Sequence, residues 1–544
     1  MIRISQLKLG VGHTEEALRA KICKLLRIKE DSLLSYMRKK QSLDARKKPQ
    51  LFYVYTIDVK VKNENEVKKH IRRQKNSNIL FLPDEKKYAL RASGTRPLAH
   101  RPVVIGTGPA GLFCGYELAR LGYRPILLER GASVEERLKD VEEFWNTGVL
   151  NPHSNVQFGE GGAGTFSDGK LNTLVHDPLG RNVHVLEIFV ENGAPEEILY
   201  QSKPHIGTDI LANVVRNMRE YIISHGGEVR FHSQVTDLVS TEDEGIRKLT
   251  GLKVRTRQNT EKVLDTEIAV LAIGHSARDT FLMLKDCKIS MEAKAFAVGI
   301  RMEHPQSMID HAQYGTECGS DLPAAAYKLT ANLPDGRGVY TFCMCPGGYV
   351  VNASSESCRL AVNGMSYHAR DGINANSAVV VTVTPKDYPV DDGASDALAG
   401  MEFQRRLEEA AYREGRGKIP VQLFEDFCKN CPSEGPGGFL PQTKGSYDWG
   451  NVRAIFPEEL AEALAEGIRS FGKRLKGYDR PDALVSGVES RTSSPVKILR
   501  DETMQSSISG VYPCGEGAGY AGGITSAAMD GVKIAETIIK EYRA

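Results

Sequence analysis

A glycine-rich turn between an apolar strand and a helix constrains the fold of this 544-residue chain more than any other feature. Residues 102–105 are strand-like, residues 106–111 read Gly-Thr-Gly-Pro-Ala-Gly, and residues 109–121 form a helical pattern ended by Gly122. The pattern G-x-G-x-x-G is weak evidence alone, since a chain this rich in glycine produces it by chance about 0.5 times. It occurs at 106–111, 159–164 and 517–522, and the first occurrence has the strand and helix that a dinucleotide-binding turn requires.

Each glycine of the first turn has a separate role in this interpretation. Gly106 permits the tight turn, Gly108 lets the backbone approach a pyrophosphate, and Gly111 allows close packing of helix on strand. Pro109 and Ala110 begin the helix, where unsatisfied N–H groups and the helix dipole favour an anion. The turn therefore predicts a dinucleotide site.

The end of the second strand supports the same prediction. Glu129 lies 18 residues after Gly111, where its carboxylate can accept hydrogen bonds from a ribose diol, and Arg130 follows it. The next glycine-dense segment, residues 158–170, lets backbone lie flat against a ring system. Its candidate cofactor contacts are Gly162, Ala163, Gly164 and Thr165.

A segment near the C-terminus favours FAD over NAD. It resembles the second FAD motif of the glutathione-reductase-like flavoproteins, in which a strand ends in an acid within a glycine run and a helix follows. Here the acid is Glu516 in place of the usual Asp, and the flanking positions are Gly515, Gly522, Gly523 and Ile524. The helix that follows would stabilise negative charge on a reduced flavin.

Two further positions fit the same likeness. Gly274 ends a strand as the Ala-Thr-Gly-like motif does in these flavoproteins, and Val235 falls where backbone usually pairs with adenine. Residues 101–544 resemble a bacterial family of largely uncharacterised FAD-dependent dehydrogenases, including the blocks 151–162 and 487–494. The resemblance implies FAD as cofactor and dehydrogenase chemistry, and it implies no particular substrate.

The arrangement of strand and helix patterns predicts an α/β protein of three parts. Residues 1–95 follow the order β-α-β-β-α-β of a ferredoxin-like α/β domain. Residues 96–290 and 483–544 are expected to form a Rossmann-like FAD-binding domain on a parallel sheet. Residues 291–482 are expected to form an inserted mixed α+β domain that covers the flavin with a substrate pocket.

Charge is divided unevenly between these parts. Residues 1–100 contain 24 Lys and Arg against 10 Asp and Glu, so the remaining residues carry a net −12 of the total +2. This basic unit could bind RNA or an acidic protein, or it could dock on the acidic remainder of the chain, the interpretation that we favour. No stretch of about 18 apolar residues and no signal peptide is evident, so we expect a cytoplasmic protein.

The catalytic candidates are few. Arg301 and His304 follow the predicted strand 296–300 and could hold a substrate carboxylate or transfer a proton. Arg491 could clamp an anion or the flavin C2=O, and Cys345, in the sequence Cys343-Met-Cys345, could act as an acid or redox partner. No second pair of cysteines lies at ribbon-like spacing, so no metal is expected.

These observations favour an oxidoreductase that transfers hydride between flavin N5 and a small organic substrate. Residues 175–480 contain no second complete strand–GxGxxG–helix unit for NAD(P)H, although NAD(P)H could still bind transiently over the flavin. Two alternatives stay open at this point. One is an RNA-associated flavoprotein in tRNA modification, and the other is a flavin redox carrier with a protein partner.

Overall fold

The computed structural model describes residues 1–74, 76–83, 88–315, 319, 321–388 and 396–544. The N-terminal unit consists of β1 (Ile2–Gly10), α1 (Glu15–Leu26), β2 (Leu33–Lys47), β3 (Gln50–Val61), α2 (Glu64–Gln74) and β4 (Ile79–Phe81). Thr14 begins α1, since its hydroxyl accepts the Ala17 N–H at 3.3 Å. The four strands pair antiparallel in the order β2-β3-β1-β4, and α1 buries Leu18 and Ile22 in the core of this unit.

The next part of the chain alternates strands and helices. Its elements are β5 (Arg96–Pro97), β6 (Val103–Ile105), α3 (Pro109–Arg120), β7 (Ile126–Leu128), α4 (Val134–Thr147), α5 (Arg181–Glu191), α6 (Thr208–Ser224), β8 (Glu228–Arg230), β9 (Gln234–Asp243), β10 (Ile246–Arg255), β11 (Glu261–Asp265), β12 (Ala269–Leu271) and α7 (Arg278–Asp286). Strands β9, β10 and β11 form a separate antiparallel sheet.

The remaining elements include the strands of several sheets. They are β13 (Met291–Ala293), β14 (Phe296–Pro305), α8 (Gln306–Tyr314), β15 (Thr330–Asn332), β16 (Gly338–Cys345), β17 (Tyr349–Asn352), β18 (Val362–Met365), β19 (Asn374–Val383), α9 (Asp396–Glu414), β20 (Ile419–Leu423), α10 (Phe424–Lys429), β21 (Thr443–Lys444), β22 (Tyr447–Trp449), α11 (Glu458–Gly472), β23 (Leu484–Glu489), β24 (Val496–Ile498), β25 (Val511–Pro513), α12 (Ile524–Glu541) and β26 (Tyr542–Arg543). These strands complete the parallel sheet, form a seven-stranded mixed sheet and a three-stranded sheet (β18-β17-β21), and make the two-stranded pairs β13-β24 and β26-β5. Ser395, the predicted first residue of the α9 helix, lies outside the described residues.

The parallel sheet has the strand order β8-β7-β6-β12-β25. Strands β6, β7, β12 and β25 are fully buried, as expected for a sheet with helices on both faces. Strand β7, which follows β6 along the chain, lies on one side of β6, whereas β12 lies on the other side, followed by β25. The crevice between β6 and β12 is therefore the switch point where such sheets bind ligands.

The mixed sheet has the order β15-β16-β19-β14-β23-β20-β22, with β20 and β22 parallel and the other pairs antiparallel. Helix α11 packs on β15, β16 and β19 and contributes Leu464 and Ile468 to the largest hydrophobic core. This sheet forms the wall opposite the crevice of the parallel sheet.

Three predictions about the path of the chain were wrong. We expected the parallel sheet to resume at 483, but β23 pairs with β14 and β20 in the mixed sheet. Strand β23 is buried along its whole length, which gives it the apolar pattern of a parallel strand. The sequence pattern also predicts one continuous strand over 228–240 and a loose linker over 92–100. The strand divides at His232 (φ +51°), and the linker contains β5, which pairs with β26.

The basic N-terminal unit contacts both other parts of the chain. Gln41 of β2 exchanges backbone hydrogen bonds with Tyr200 and Ser202, at 2.7 and 2.9 Å. Leu51 joins the core of the mixed-sheet part, and the Tyr53 hydroxyl donates to the Asp321 carbonyl at 3.2 Å. Within the described ranges, we find no helix whose length and apolar character would suit a bilayer span.

Candidate functional site

A cavity of about 340 Å³ lies between the carboxyl edge of the parallel sheet and the mixed sheet. Its lining joins the turn after β6, the ends of β7 and β12, the glycine loop around residues 157–170 and the start of α12. The mixed-sheet part adds Phe342, Cys343, Asn363, Glu489 and Arg491. A cavity of this size is typical of sites for cofactors and small molecules.

The turn after β6 uses its glycines in two ways. Gly106 has φ +100°, and a Cβ atom on it or on Gly111 would clash with the carbonyl of Ala272 or of Gly106. Gly108 differs, because the nearest atom to a Cβ on it would be the Gly162 Cα at 3.8 Å. No side chain caps the helix α3 that starts here, so its first N–H groups are available to an anion in the cavity.

Glu129 connects the turn to the glycine loop. One carboxylate oxygen accepts the Thr107 N–H at 3.0 Å and the Thr107 hydroxyl at 2.8 Å. The other accepts the N–H groups of Gly131 at 2.9 Å and Gly159 at 3.2 Å. The residue lines the cavity as predicted, but four protein donors already contact the carboxylate that we expected to bind a ribose diol. Its structural role is to fix two backbone segments against each other.

Arg137 of α4 holds the glycine loop in shape. Its guanidinium donates five hydrogen bonds of 2.7 to 3.3 Å to backbone carbonyls of residues 155, 156, 159, 160 and 162. The side chain is fully buried and lies 4.8 Å from the ring of Phe166. Burial lowers the pKa of Arg137 to about 10. Gly159 (φ +116°) packs against the Arg137 side chain, where a Cβ would clash.

The C-terminal glycine segment forms the opposite side of the cavity. Helix α12 begins after Gly523 without a side-chain cap, and Cβ atoms on Gly522 and Gly523 would meet no atom within 4 Å. Glu516 faces the cavity, with 24% of its side chain exposed, 3.7 Å from Nδ1 of His275. Burial raises the pKa of Glu516 to about 7, so this carboxyl changes protonation state near neutral pH.

An ion pair forms the floor of the cavity near the mixed sheet. The Lys170 ammonium lies 3.0 Å from the Asp168 carboxylate, which also accepts hydrogen bonds from Arg370 and Ser366. Burial opposes ionisation of Asp168, but Lys170 and Arg370 hold its pKa at about 2. Lys170 also donates to the Met344 carbonyl, and thereby joins the glycine loop to β16.

Arg491 lines the cavity but belongs to a buried ion network. Its guanidinium binds both carboxylate oxygens of Glu408 at 2.9 and 3.0 Å, and Arg278 binds the same two oxygens at 2.8 Å. Although burial opposes ionisation, Arg278 and Arg491 hold the pKa of Glu408 well below its ordinary value. Arg491, which we expected to bind an anion or the flavin, therefore already binds the Glu408 carboxylate of α9.

The cavity collects most residues that the sequence singled out for the cofactor. Three of the predicted contacts lie outside the lining: Gly111, Thr165 and Gly515. The predicted residues that line it are Gly106, Gly108, Pro109, Ala110, Glu129, Arg130, Gly162, Ala163, Gly164, Val235, Gly274, Glu516, Gly522, Gly523 and Ile524.

Three of the four catalytic candidates do not line the cavity. Arg301 and His304 lie within β14, which continues to residue 305, and both are fully buried. Arg301 binds Glu489 at 2.7 Å, and His304 contacts the Tyr478 carbonyl at 2.7 Å. Cys345 is buried behind Cys343, which lines the cavity, as does Cys514. The sequence missed these positions because it ended the strand too early.

Sequence reasoning also missed several polar residues of the lining. Asp168 and Lys170 belong to the glycine loop, but nothing in its pattern showed that they would pair. Gln157 and Ser276 are brought together from separate segments by a 3.0 Å hydrogen bond. Glu408, which lies outside the lining and binds Arg491, could have been suspected, because an acid on the buried face of a long helix needs a partner.

Comparisons with known proteins match two segments of the chain to family models and its whole length to one relative. Residues 295–492 match the family model described as FAD-dependent protein, C-terminal domain-like, and residues 1–60 match a domain of unknown function. An uncharacterized protein of Clostridium beijerinckii is 46% identical over 546 residues, covering 99% of both chains.

Solved structures show more distant likeness. A flavoprotein/dehydrogenase from Cytophaga hutchinsonii is 11% identical, with a TM-score of 0.35 over 82% of this chain and 80% of that one. A geranylgeranyl bacteriochlorophyll reductase-like protein from Thermoplasma acidophilum is 12% identical, with a TM-score of 0.34 over 82% and 79%.

Proposed function

The chain belongs to one family with the uncharacterized Clostridium beijerinckii protein and its cofactor is FAD, and on this premise we propose that it is an oxidoreductase acting on a small organic substrate. In the proposed reaction, hydride passes between flavin N5 and the substrate. The observation that carries the proposal is one cavity that runs from the turn after β6 to polar side chains of the mixed sheet.

The residues present fit FAD. Gly108, Gly274, Gly522 and Gly523 line the cavity, and a Cβ on any of them would meet open space or only the distant Gly162 Cα. Glycines at these positions therefore leave room for a ligand against the backbone. The uncapped start of α3 suits the pyrophosphate, and the uncapped start of α12 suits negative charge on the flavin.

The proposed cofactor contacts divide between the two ends of the cavity. Glu129, Arg130 and Val235 would surround the adenosine, and Gly162, Ala163 and Gly164 would lie along the flavin. Thr165, Gly111 and Gly515 would act behind the lining by holding those segments. Arg301 would position Cys343 and Glu489 and not the substrate itself, because its hydrogen bonds go to protein groups.

The mixed-sheet end of the cavity would bind the substrate. When bound, FAD supplies the hydride acceptor or donor, and protein groups orient the substrate and exclude water. Lys170, fixed by Asp168, presents a cation that can hold a substrate oxygen. Glu516 can take up or release a proton near pH 7. These two groups give the cavity a charged anchor and a proton-transfer group.

Anaerobic mixing of purified holoprotein with candidate substrates tests the proposal. NADH, NADPH, activated alkenes and 2-hydroxy acids are the probes, and we expect one class to bleach or restore the yellow flavin band. Lys170→Met should raise KM or lower kcat while retaining FAD, and Lys203→Met, which changes an exposed lysine outside the cavity lining, should behave as wild type. A flavin unchanged by every probe, or equal kinetics in both variants, would contradict the proposal.

A further inference from the structure

Two thiols on the mixed-sheet wall have no role in the proposed hydride transfer. We propose that Cys343 and Cys345 form a redox-active dithiol that exchanges two electrons with FAD. The inference rests on the proposed function, because it requires the flavin in this cavity.

A β-bulge brings the two thiols together. The pairing of β16 with β19 shifts register between Phe342 and Cys345, and Cys343 has φ +40°. Residues two apart in a regular strand have Cα atoms roughly 6.6 Å apart, and disulfides span about 4.4 to 6.8 Å. A bulge bends the strand and re-aims its side chains. The Cys345 thiol donates to the Cys343 carbonyl at 3.3 Å, and the two thiols lie close enough that a hydrogen bond between them lowers the pKa of Cys343.

The two thiols differ in exposure. Cys343 lines the cavity and is partly exposed, whereas Cys345 is fully buried behind it. Arg301 fixes this arrangement, because it donates to the Cys343 carbonyl at 2.8 Å and lies 3.9 Å from the Cys345 sulfur. A reactive thiol with an adjacent resolving thiol is the usual arrangement of a reversible redox pair.

The surrounding charges favour a thiolate at Cys343. The Cys345 thiol, Lys170 and Arg301 hold the pKa of Cys343 well below its ordinary value, against the opposing effects of burial and of Asp168. Asp168 pairs with Lys170, and Glu489, on β23, pairs with Arg301. Glu516 faces the same region from the opposite wall. Burial and the neighbouring Cys343 hold the pKa of the Cys345 thiol well above its ordinary value.

The electron balance of the exchange is complete. One S–S bond forms between the Cys343 thiolate and Cys345, whose S–H bond breaks. The two electrons and the one proton released pass to FAD, which takes a second proton from solvent to become FADH₂, and the reverse reaction regenerates the Cys343 thiolate and the Cys345 thiol. No further oxidant or reductant is needed for the exchange itself.

Mass spectrometry can detect the bond independently of enzyme activity. In a Cys358→Ser background, the tryptic peptide 338–359 contains only Cys343 and Cys345 as cysteines. The protein is reduced, freed of reductant and exposed to air with its FAD or after FAD removal, and free thiols are then alkylated. We expect the unalkylated peptide, lighter by two hydrogen atoms, to form at least tenfold faster with FAD. Equal rates, or a peptide that always takes two alkyl groups, would overturn the inference.

Anaerobic titration with dithionite gives a second readout. Oxidised wild type should take up four electrons per FAD, and Cys343→Ser and Cys345→Ala should each take up two. Cys287→Ser, which removes a thiol outside the cavity lining, should still take up four. If Cys345→Ala fails to retain FAD, the comparison with wild type uses Cys343→Ser alone. Uptake of two electrons by wild type contradicts the dithiol, whereas failure of the hydride-transfer proposal would appear only as absence of substrate turnover.

Discussion

Replacement of Arg137 by Met tests how much the glycine loop depends on one buried cation. Methionine keeps most of the side-chain volume but removes all five hydrogen bonds to the loop carbonyls. The carbonyls of Gly159 and Glu160 keep other donors, the Gly162 N–H and the Thr165 hydroxyl. Those of Asn155 and Val156 accept no other hydrogen bond within the described part of the chain.

The magnitude follows from those two orphaned acceptors. Each buried unsatisfied carbonyl costs about 1–3 kcal/mol, and loss of the other bonds adds to this. Removal of a buried cation recovers part of the loss, because burial already disfavours the charge and lowers the pKa of Arg137 to about 10. We expect a net loss of about 3 kcal/mol in loop stability, which corresponds to roughly a hundredfold weaker binding of FAD.

The assay is FAD affinity measured by flavin fluorescence, together with thermal unfolding of the apoprotein. Lys139→Met is the matched control, since it removes one cation from an exposed position of the same helix, α4. Arg137→Lys should give an intermediate affinity, because it keeps the charge but loses the planar fork of donors. If Arg137→Met binds FAD as tightly as Lys139→Met, the loop does not depend on this side chain for cofactor binding.

Three further predictions concern charge, space and nucleic acid. Burial raises the pKa of Glu303 from its ordinary value of 4.5 to about 7, so its contribution to the stability of the folded state is complete below pH 4.5 and is lost as the pH rises through 7. The Glu303→Gln protein should therefore be about 3 kcal/mol more stable than wild type above pH 7, and its Tm should vary less between pH 4.5 and pH 7. Parallel plots of Tm against pH for the two proteins would contradict this. Gly108→Ala should keep the apoprotein Tm but weaken FAD binding, whereas Gly111→Ala should lower the Tm itself, because only the second Cβ clashes with protein; equal effects on Tm would refute the distinction. Several basic residues of the N-terminal unit pair with its own acids, such as Arg3 with Asp58. In a filter-binding assay at 0.15 M salt, tRNA should therefore bind with a Kd above about 1 μM. Tighter, sequence-dependent binding would favour the RNA alternative.

The sequence located the glycine positions well because their requirement is local. A strand, a tight turn and a helix within twenty residues determine where Gly106, Gly108 and Gly111 must lie. The same holds for β1 to β4 and their two helices, which follow the order β-α-β-β-α-β that the sequence predicts. Patterns of apolar residues report burial of nearby positions, and these elements are formed by neighbours in sequence.

Pairing between distant strands could not be predicted in the same way. Strand β23 has the apolar composition of a parallel strand, and only its partners β14 and β20 assign it to the mixed sheet. The positions of two catalytic candidates were predicted wrongly for a related reason. Arg301 and His304 were interpreted as residues beyond a strand end, but β14 continues through both and buries them.

Charged residues are the part of the site that sequence patterns describe least, and the structure suggests why. Three cations at or beside the cavity bind segments far from them in sequence: Lys170 binds β16, Arg491 binds α9, and Arg301 binds β23. Because an isolated buried charge is unstable, such a residue must meet a distant counter-charge or backbone carbonyl. The role of a buried charge thus depends on tertiary contacts, whereas the role of a glycine depends on the local shape of the backbone. Since Cys343 lies where two of these cations meet, its reactivity depends on contacts that only the folded chain creates.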